Sequence, residues 1–265
     1  MSSLTIPWWE LRLCALDLET THPEPEEARI VSFAVVLAGG GRPTETLTCI
    51  VDPGVPIPPE ATGVHGITDA IVGERGVPAA EAIPGVLSVL RAAHPPAPLI
   101  VFNGRYDLTV LDREARRHGL EPLDPRPVID PLVIDKHLWR YRKGSRKLDA
   151  ICLQRGAVLD GAHDASFDAL AAARLAWVIG AKGEVIRRVR DAREEAELQA
   201  LQAEWDEVRA DAAALHDAQI RWAAAQASSL RDYFISEGQM ENAAEVREEW
   251  PVIPAGDLQP EGSTA

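Results

Sequence analysis

The stretch LCALDLETT, residues 13–21, decides how this chain is read. An apolar run, Leu13 to Leu16, meets two carboxylates, Asp17 and Glu19, one residue apart. In an extended strand, side chains at i and i+2 point to the same face. Asp17 and Glu19 are therefore expected to project together at the carboxyl end of a first strand, with Leu18 turned toward the core. That edge of an α/β sheet is where sites gather. Two carboxylates held close repel each other, and a divalent cation between them relieves the repulsion. A solvated strand end is the other reading of the pair.

Outward from this stretch, the chain changes style. Of its 20 prolines, 17 lie in residues 1–131, and the other three lie after residue 250. Residues 182–250 contain no proline and two glycines, Gly183 and Gly238. The first part reads as short elements between turns and the later part as long helix. LRLCALDL, ARIVSFAVVLAG and TETLTCIVDP read as three strands whose spacing permits an antiparallel meander. A proline-rich loop leads to HGITDAIV and a helix near 79–93. APLIVFN reads as a fourth strand running into a helix at about 105–118, closed by Gly119. PVIDPLVIDKHL supplies a short strand and a helix. SRKLDAICLQRG reads as helix, capped by Ser145 and stopped by Gly156. A further helix follows Asp164 as N-cap and ends at Gly180. Strands first, then strand–helix alternation, predict an α/β fold: a mixed five-stranded sheet flanked by helices, followed by an α-helical C-terminal extension.

The expected organisation is a domain over 1–181, a helical extension over 182–250 and a flexible tail over 251–265. In the extension, Leu198, Leu201, Trp205, Val208, Ala212, Leu215, Gln219 and Trp222 are spaced 3-4-3-4-3-4-3, an a/d seam broken by Gln219. A coiled-coil or hairpin arm and a helix packed back on the domain both fit this pattern. Self-association through 184–222 is one partner expectation, and a cut near residue 182 is expected to leave a folded core.

Bulk composition narrows the function. Apolar residues make up 46% and charged residues 26%, which is globular. The cysteines Cys14, Cys49 and Cys152 form no C-x-x-C pair, which fits a reduced, cytoplasmic protein rather than a zinc site or disulfide scaffold. The start of the sequence lacks a signal-peptide pattern, and no apolar run approaches the ~18 residues of a membrane helix. Net charge of −14 argues against coating nucleic acid by bulk attraction. A local basic run, KHLWRYRKGSRK at 136–147, is a candidate phosphate patch or a solvated helix end.

Two further clusters carry chemistry. In VFNGRYDL, residues 101–108, Asp107 falls in the first turn of a helix after a buried strand, where the helix dipole favours a carboxylate. Asn103 ends that strand, to touch a substrate or cap the turn. In the segment HDASFDALAAARLA, His163 and Asp168 are five apart, so His163 belongs on the turn before the helix and Asp168 within it.

Taken in order, LDLETT, FNGRYDL and HDASFDA resemble the motifs of the DEDDh, or DnaQ-like, 3′–5′ exonuclease family of the RNase H-like superfamily. That family includes polymerase proofreading subunits and RNase T-like enzymes. GVHGITD (63–69) and KLDAICLQRG (147–156) are similar to further family segments, and the resemblance covers about residues 11–180. Gly104 and Tyr106 stand where the family often has Ala and Phe.

The resemblance implies an RNase H-like fold and release of nucleoside 5′-monophosphates from a single-stranded DNA 3′ end, with RNA also open. It implies two divalent cations, Mg2+ or Mn2+, held by Asp17, Glu19, Asp107 and Asp168, with His163 as general base. Leu18, Thr20, His65, Phe102 and Tyr106 are by analogy candidates to contact sugar and base, Asn103 joining them from its place at the strand end. Phe102 equally reads as core and His65 as a turn residue. A DNA polymerase is an expected partner. A recruitment module acting through the helical arm is the competing class.

Overall fold

The computed structural model describes residues 6–160, 164–182 and 195–256. Its centre is a sheet of strands β1 (Arg12–Thr20), β2 (Ile30–Gly39), β3 (Glu45–Asp52), β4 (Val77–Pro78), β5 (Leu99–Ile100) and β6 (Val128–Ile129). The spatial order is β4-β3-β2-β1-β5-β6. β1, β2 and β3 form the antiparallel meander, whereas β4, β5 and β6 join in parallel. The sheet thus has six strands where five were expected. The extra one, β4, is two residues long and includes Pro78, too short to show a period-2 pattern.

The helices are α1 (Pro59–His65), α2 (Asp69–Arg75), α3 (Ala79–Ala93), α4 (Gly104–Arg117), α5 (Pro131–Leu138), α6 (Leu148–Arg155) and α7 (Ala165–Lys182), then α8 (Glu195–Val208), α9 (Ala212–Ser236) and α10 (Met240–Glu245). Ser145 does not cap α6. Lys147 occupies the cap position without a side-chain bond, and the Ser145 hydroxyl accepts from the Lys147 N–H instead. No described helix is long and apolar enough to cross a membrane.

α7 lies across β1 and β2. Ala165, Ala169, Ala171, Ala172, Ala173 and Ala176 are buried, and their small side chains let the helix backbone approach the sheet. Near its C-terminal end α7 meets the short turn before β1, where a Cβ on Gly180 would lie 2.8 Å from the Trp9 ring.

The later helices pack back on the sheet. Trp205, Val208, Leu215 and Trp222, half of the expected seam, are buried in the same apolar core as β1 and β5. The helical run is also broken: α8 ends at Val208, and Asp211 caps α9 through the N–H groups of Ala213 and Ala214. α9 covers the outer edge of β6. His216 Nδ1 accepts from the Val128 N–H at 3.0 Å, and Gln219 accepts from the Asp130 N–H at 2.7 Å while donating to the Val128 carbonyl at 2.9 Å. Gln219, which breaks the apolar seam, thereby closes an otherwise open strand edge. Residues 251–254, expected to begin a loose tail, are tied to α4. The Ile253 N–H donates to Thr109 Oγ1, and Arg113 donates to the Ile253 carbonyl.

Candidate active site

β1 is flanked on both sides over only part of its length. β2 accompanies it to Thr20, but β5 ends at Ile100, opposite Ala15. Beyond that point the β5 side of β1 faces the first turn of α4. There the Leu18 N–H, which has lost its strand partner, donates to Asp107 Oδ1 at 3.2 Å. Asp107 is therefore placed by a backbone bond to the residue between Asp17 and Glu19.

α7 brings the third carboxylate. Asp164 accepts from the Ser166 N–H at 2.9 Å, starting the helix as an N-cap, and Asp168 follows one turn later. Asp17, Glu19 and Asp168 each offer a carboxylate oxygen within 4.8 Å of the others. Asp107 stands beside this trio, and its charge bears on Asp17.

The electrostatics are unfavourable without a counter-charge. Burial, then the charges of Asp107, Glu19, Asp168 and Asp164, hold the Asp17 carboxyl well above the usual range. Glu19 is pushed up to about 7 by burial and by Asp168 and Asp164. Asp107 is raised by burial too, although the N–H bond from Leu18 acts the other way. An all-oxygen donor set with this much crowded negative charge fits hard divalent cations.

A family model described as an exonuclease, RNase T, matches residues 14–176. The chain belongs to the RNase T exonuclease family. Within the matched stretch lie all the carboxylates just described. A DNA polymerase III PolC-type protein of Listeria welshimeri is 29% identical over 164 residues, which is 62% of this chain and 11% of that protein. A DNA polymerase III subunit epsilon-like protein of Rhodobacter capsulatus is 31% identical over 175 residues, 63% of this chain and 23% of that protein. The chain thus spans a minor part of the length of these relatives. In three dimensions it shares the fold of E. coli exonuclease I solved with a dT13 oligonucleotide, at 20% identity and a TM-score of 0.57 over 71% of this chain and 45% of that one.

The remaining expected residues divide around this acidic cluster. His163 lies outside the described residues. The Leu18 N–H, expected on the substrate side, is engaged by Asp107. Thr20 Oγ1 shares a short hydrogen bond with the Tyr106 hydroxyl, which also donates to the His22 carbonyl. The hydroxyl that distinguishes Tyr106 from Phe thus fastens α4 to the end of β1. Burial pushes its pKa up to about 12. His65 is buried at the end of α1, its Nδ1 accepting from the Ile67 N–H, and burial lowers its pKa while the Thr20 backbone opposes that shift. Phe102 is half-buried and packs against the core. Asn103 is exposed, with φ of 60°, at the N-cap of α4.

Sequence reasoning missed the exonuclease domain's Asp130. This buried carboxylate accepts from the N–H groups of Asn103, Gly104 and Leu132 at 3.1, 2.9 and 2.9 Å, joining the starts of α4 and α5. The available signal was Asp followed by Pro131, a cap residue before a first-turn proline. Gly104 permits this junction, since a Cβ there would meet Val101 Cβ at 3.2 Å. The basic run at 136–147 is partly neutralised by the residue before it: its Arg142 and Arg146, together with Arg155 of α6, all reach Asp135.

Proposed function

We propose that this chain is a metal-dependent 3′–5′ exonuclease that removes nucleoside 5′-monophosphates from single-stranded DNA ends. The observation that carries the reading is the convergence of Asp17, Glu19 and Asp168, from two ends of the family-matched stretch, within 4.8 Å. DNA is favoured because the relatives are DNA polymerase III proteins and the fold neighbour holds dT13. The same relatives make a replicative polymerase the natural partner. Recruitment through the helical arm is not favoured, because Trp205, Val208, Leu215 and Trp222 are buried within this chain.

In this reading, Asp17, Glu19 and Asp168 hold divalent cations, Mg2+ or Mn2+, with Asp107 fixed beside them by Leu18. Such cations, when bound, supply charge that offsets the negative charge developing on the scissile phosphate. His163 takes the proton of the attacking water, the phosphorus–oxygen bond to the strand breaks, and the shortened strand keeps a new 3′-hydroxyl. Four crowded carboxylates are a burden to a binding module and an asset to a metal site.

The test is a degradation assay on matched 5′-labelled DNA and RNA oligonucleotides with and without magnesium. Stepwise shortening from the 3′ end that needs magnesium and disappears in Asp17→Ala is expected. Magnesium-dependent shortening that survives Asp17→Ala would remove the metal assignment.

A further inference from the structure

A groove of about 1590 Å³ runs between α4 and α5 on one side and α9 and the 246–253 segment on the other. It exceeds the ~300–1,000 Å³ of an ordinary small-molecule site. Its lining carries six cationic side chains, Arg105, Lys136, Arg140, Arg142, Arg146 and Arg247. Three acids, Asp130, Glu204 and Glu245, face the same space. An excess of positive charge here stands against a chain of net charge −14.

The cations differ in their partners. Arg142 and Arg146 pair with Asp135, and Arg140 donates to Ser229. The side chains of Arg105, Lys136 and Arg247 have neither an ion pair nor a hydrogen bond among the described residues. Burial lowers the Lys136 pKa, the Asp130 carboxylate opposes that shift, and the nearby Arg105 adds to it. Carboxylates bear on each of them, Asp130 on Arg105 and Lys136 and Glu26 on Arg247, without closing an ion pair, so their N–H groups remain open to a further anion.

Aromatic faces line the same groove. Tyr141 is 88% exposed and Tyr233 55% exposed, with the Arg140 guanidinium 5.8 Å from the Tyr141 ring centre. Exposed aromatics among cations suit a strand of bases on a phosphate backbone. Asn103 and Tyr106, at the start of α4, are among the lining residues. Tyr106 is bonded to Thr20, the residue after Glu19, so the lining reaches the end of β1 that carries the carboxylates.

We propose that this groove holds the single strand behind its 3′ end, with Arg105, Lys136 and Arg247 on phosphates and Tyr141 and Tyr233 as stacking faces. The assignment rests on the exonuclease reading. An acidic polypeptide would meet the same cations, but the stacking faces and the link through Tyr106 to the end of β1 favour the strand.

The test uses the full chain with Lys136→Ala and Arg247→Ala combined, its fold checked by circular dichroism melting. Turnover is measured on three-nucleotide and fifteen-nucleotide oligothymidylates. Binding of the labelled longer one is measured by anisotropy in EDTA over a range of salt. The double variant is expected to keep kcat/KM on the short strand within about twofold and to lose about tenfold on the long one, through KM. Its binding should weaken by a similar factor, and its log–log salt slope should become shallower by about 1.4, roughly 0.7 per phosphate contact. Equal losses on both lengths, or none on the long strand, would overturn the proposal. If the unmodified chain degrades neither strand, the exonuclease reading fails by itself. Anisotropy then decides the groove, and an affinity for the long strand that the double variant leaves unchanged overturns it. Loss of polyglutamate binding with unchanged strand binding would also overturn it, in favour of a polypeptide occupant.

Discussion

Glu19 shows how a single residue carries both a cost and a use. Its pKa is pushed from the usual 4.5 up to about 7, so the folded chain binds a proton there more tightly than the unfolded chain does. Stability from that proton is present at low pH and is lost as pH rises from about 4.5 through about 7. Buried His65, His94 and His216 have the opposite dependence, since burial lowers their pKa values and their neutral forms are favoured. A comparison with Glu19→Gln cancels the histidines. In EDTA the variant should match the wild type near pH 5 and melt higher at pH 8, by roughly 5 °C, given ~2–4 °C per kcal/mol in a protein of this size. Saturating magnesium should remove that advantage by stabilising only the wild type. A wild-type Tm insensitive to magnesium at pH 8 would sink the claim that cations relieve this cluster. The pair Asp17 and Glu19 was legible because a strand's i and i+2 positions share a face whatever else the fold does. Asp130 was not, because an acid before a proline looks the same whether it caps one helix or joins two.

Elements were legible in proportion to how far they rely on local pattern. The meander, α3, α4 and α7 are long enough for periodicity and caps to define them. β4, β5 and β6 have two residues each and exist because neighbours pair with them. The seam across α8 and α9 shows the same limit, since a 3-4 repeat records an apolar stripe and not what covers it. Gln219 is the informative exception: its amide satisfies the Asp130 N–H and the Val128 carbonyl on the free edge of β6. Gln219→Leu keeps the helix and the stripe but leaves two buried backbone groups unpaired, at ~1–3 kcal/mol each. Urea unfolding should show a loss of about 2–4 kcal/mol, and a loss below about 0.5 kcal/mol would mean that the edge is held by other contacts. In α7, Gly180→Val would drive a side chain into Trp9, whose ring lies 2.8 Å from the nearest added carbon. Overpacking of this kind costs about 1–3 kcal/mol, and the same denaturant measurement reads it.

Over the whole molecule, the shift from proline-rich to proline-free sequence marks a change in how the chain travels rather than a break in its core. Trp8, at the start, donates from its indole N–H to the Val208 carbonyl at 2.9 Å, across 200 residues. His137 of α5 stacks on Trp222 of α9 with ring centres 3.9 Å apart. Arg113 of α4, almost fully buried, binds Glu26 through two nitrogens and the Ile253 carbonyl through one of them. A chain ending at residue 182 would therefore lose the cover over β6, the partner of Trp8 and the segment that closes over α4. It would also turn the core contacts of Trp205, Val208, Leu215 and Trp222 into exposed apolar surface on the part that carries the sheet. The truncated chain is expected to be insoluble or to lack a cooperative melting transition, despite retaining Asp17, Glu19, Asp107, His163 and Asp168. Size-exclusion chromatography and calorimetry decide between this outcome and a soluble, cooperative fragment. The latter would make α8 and α9 an accessory layer, since a core that survives without them cannot depend on the bonds His216 and Gln219 make to β6.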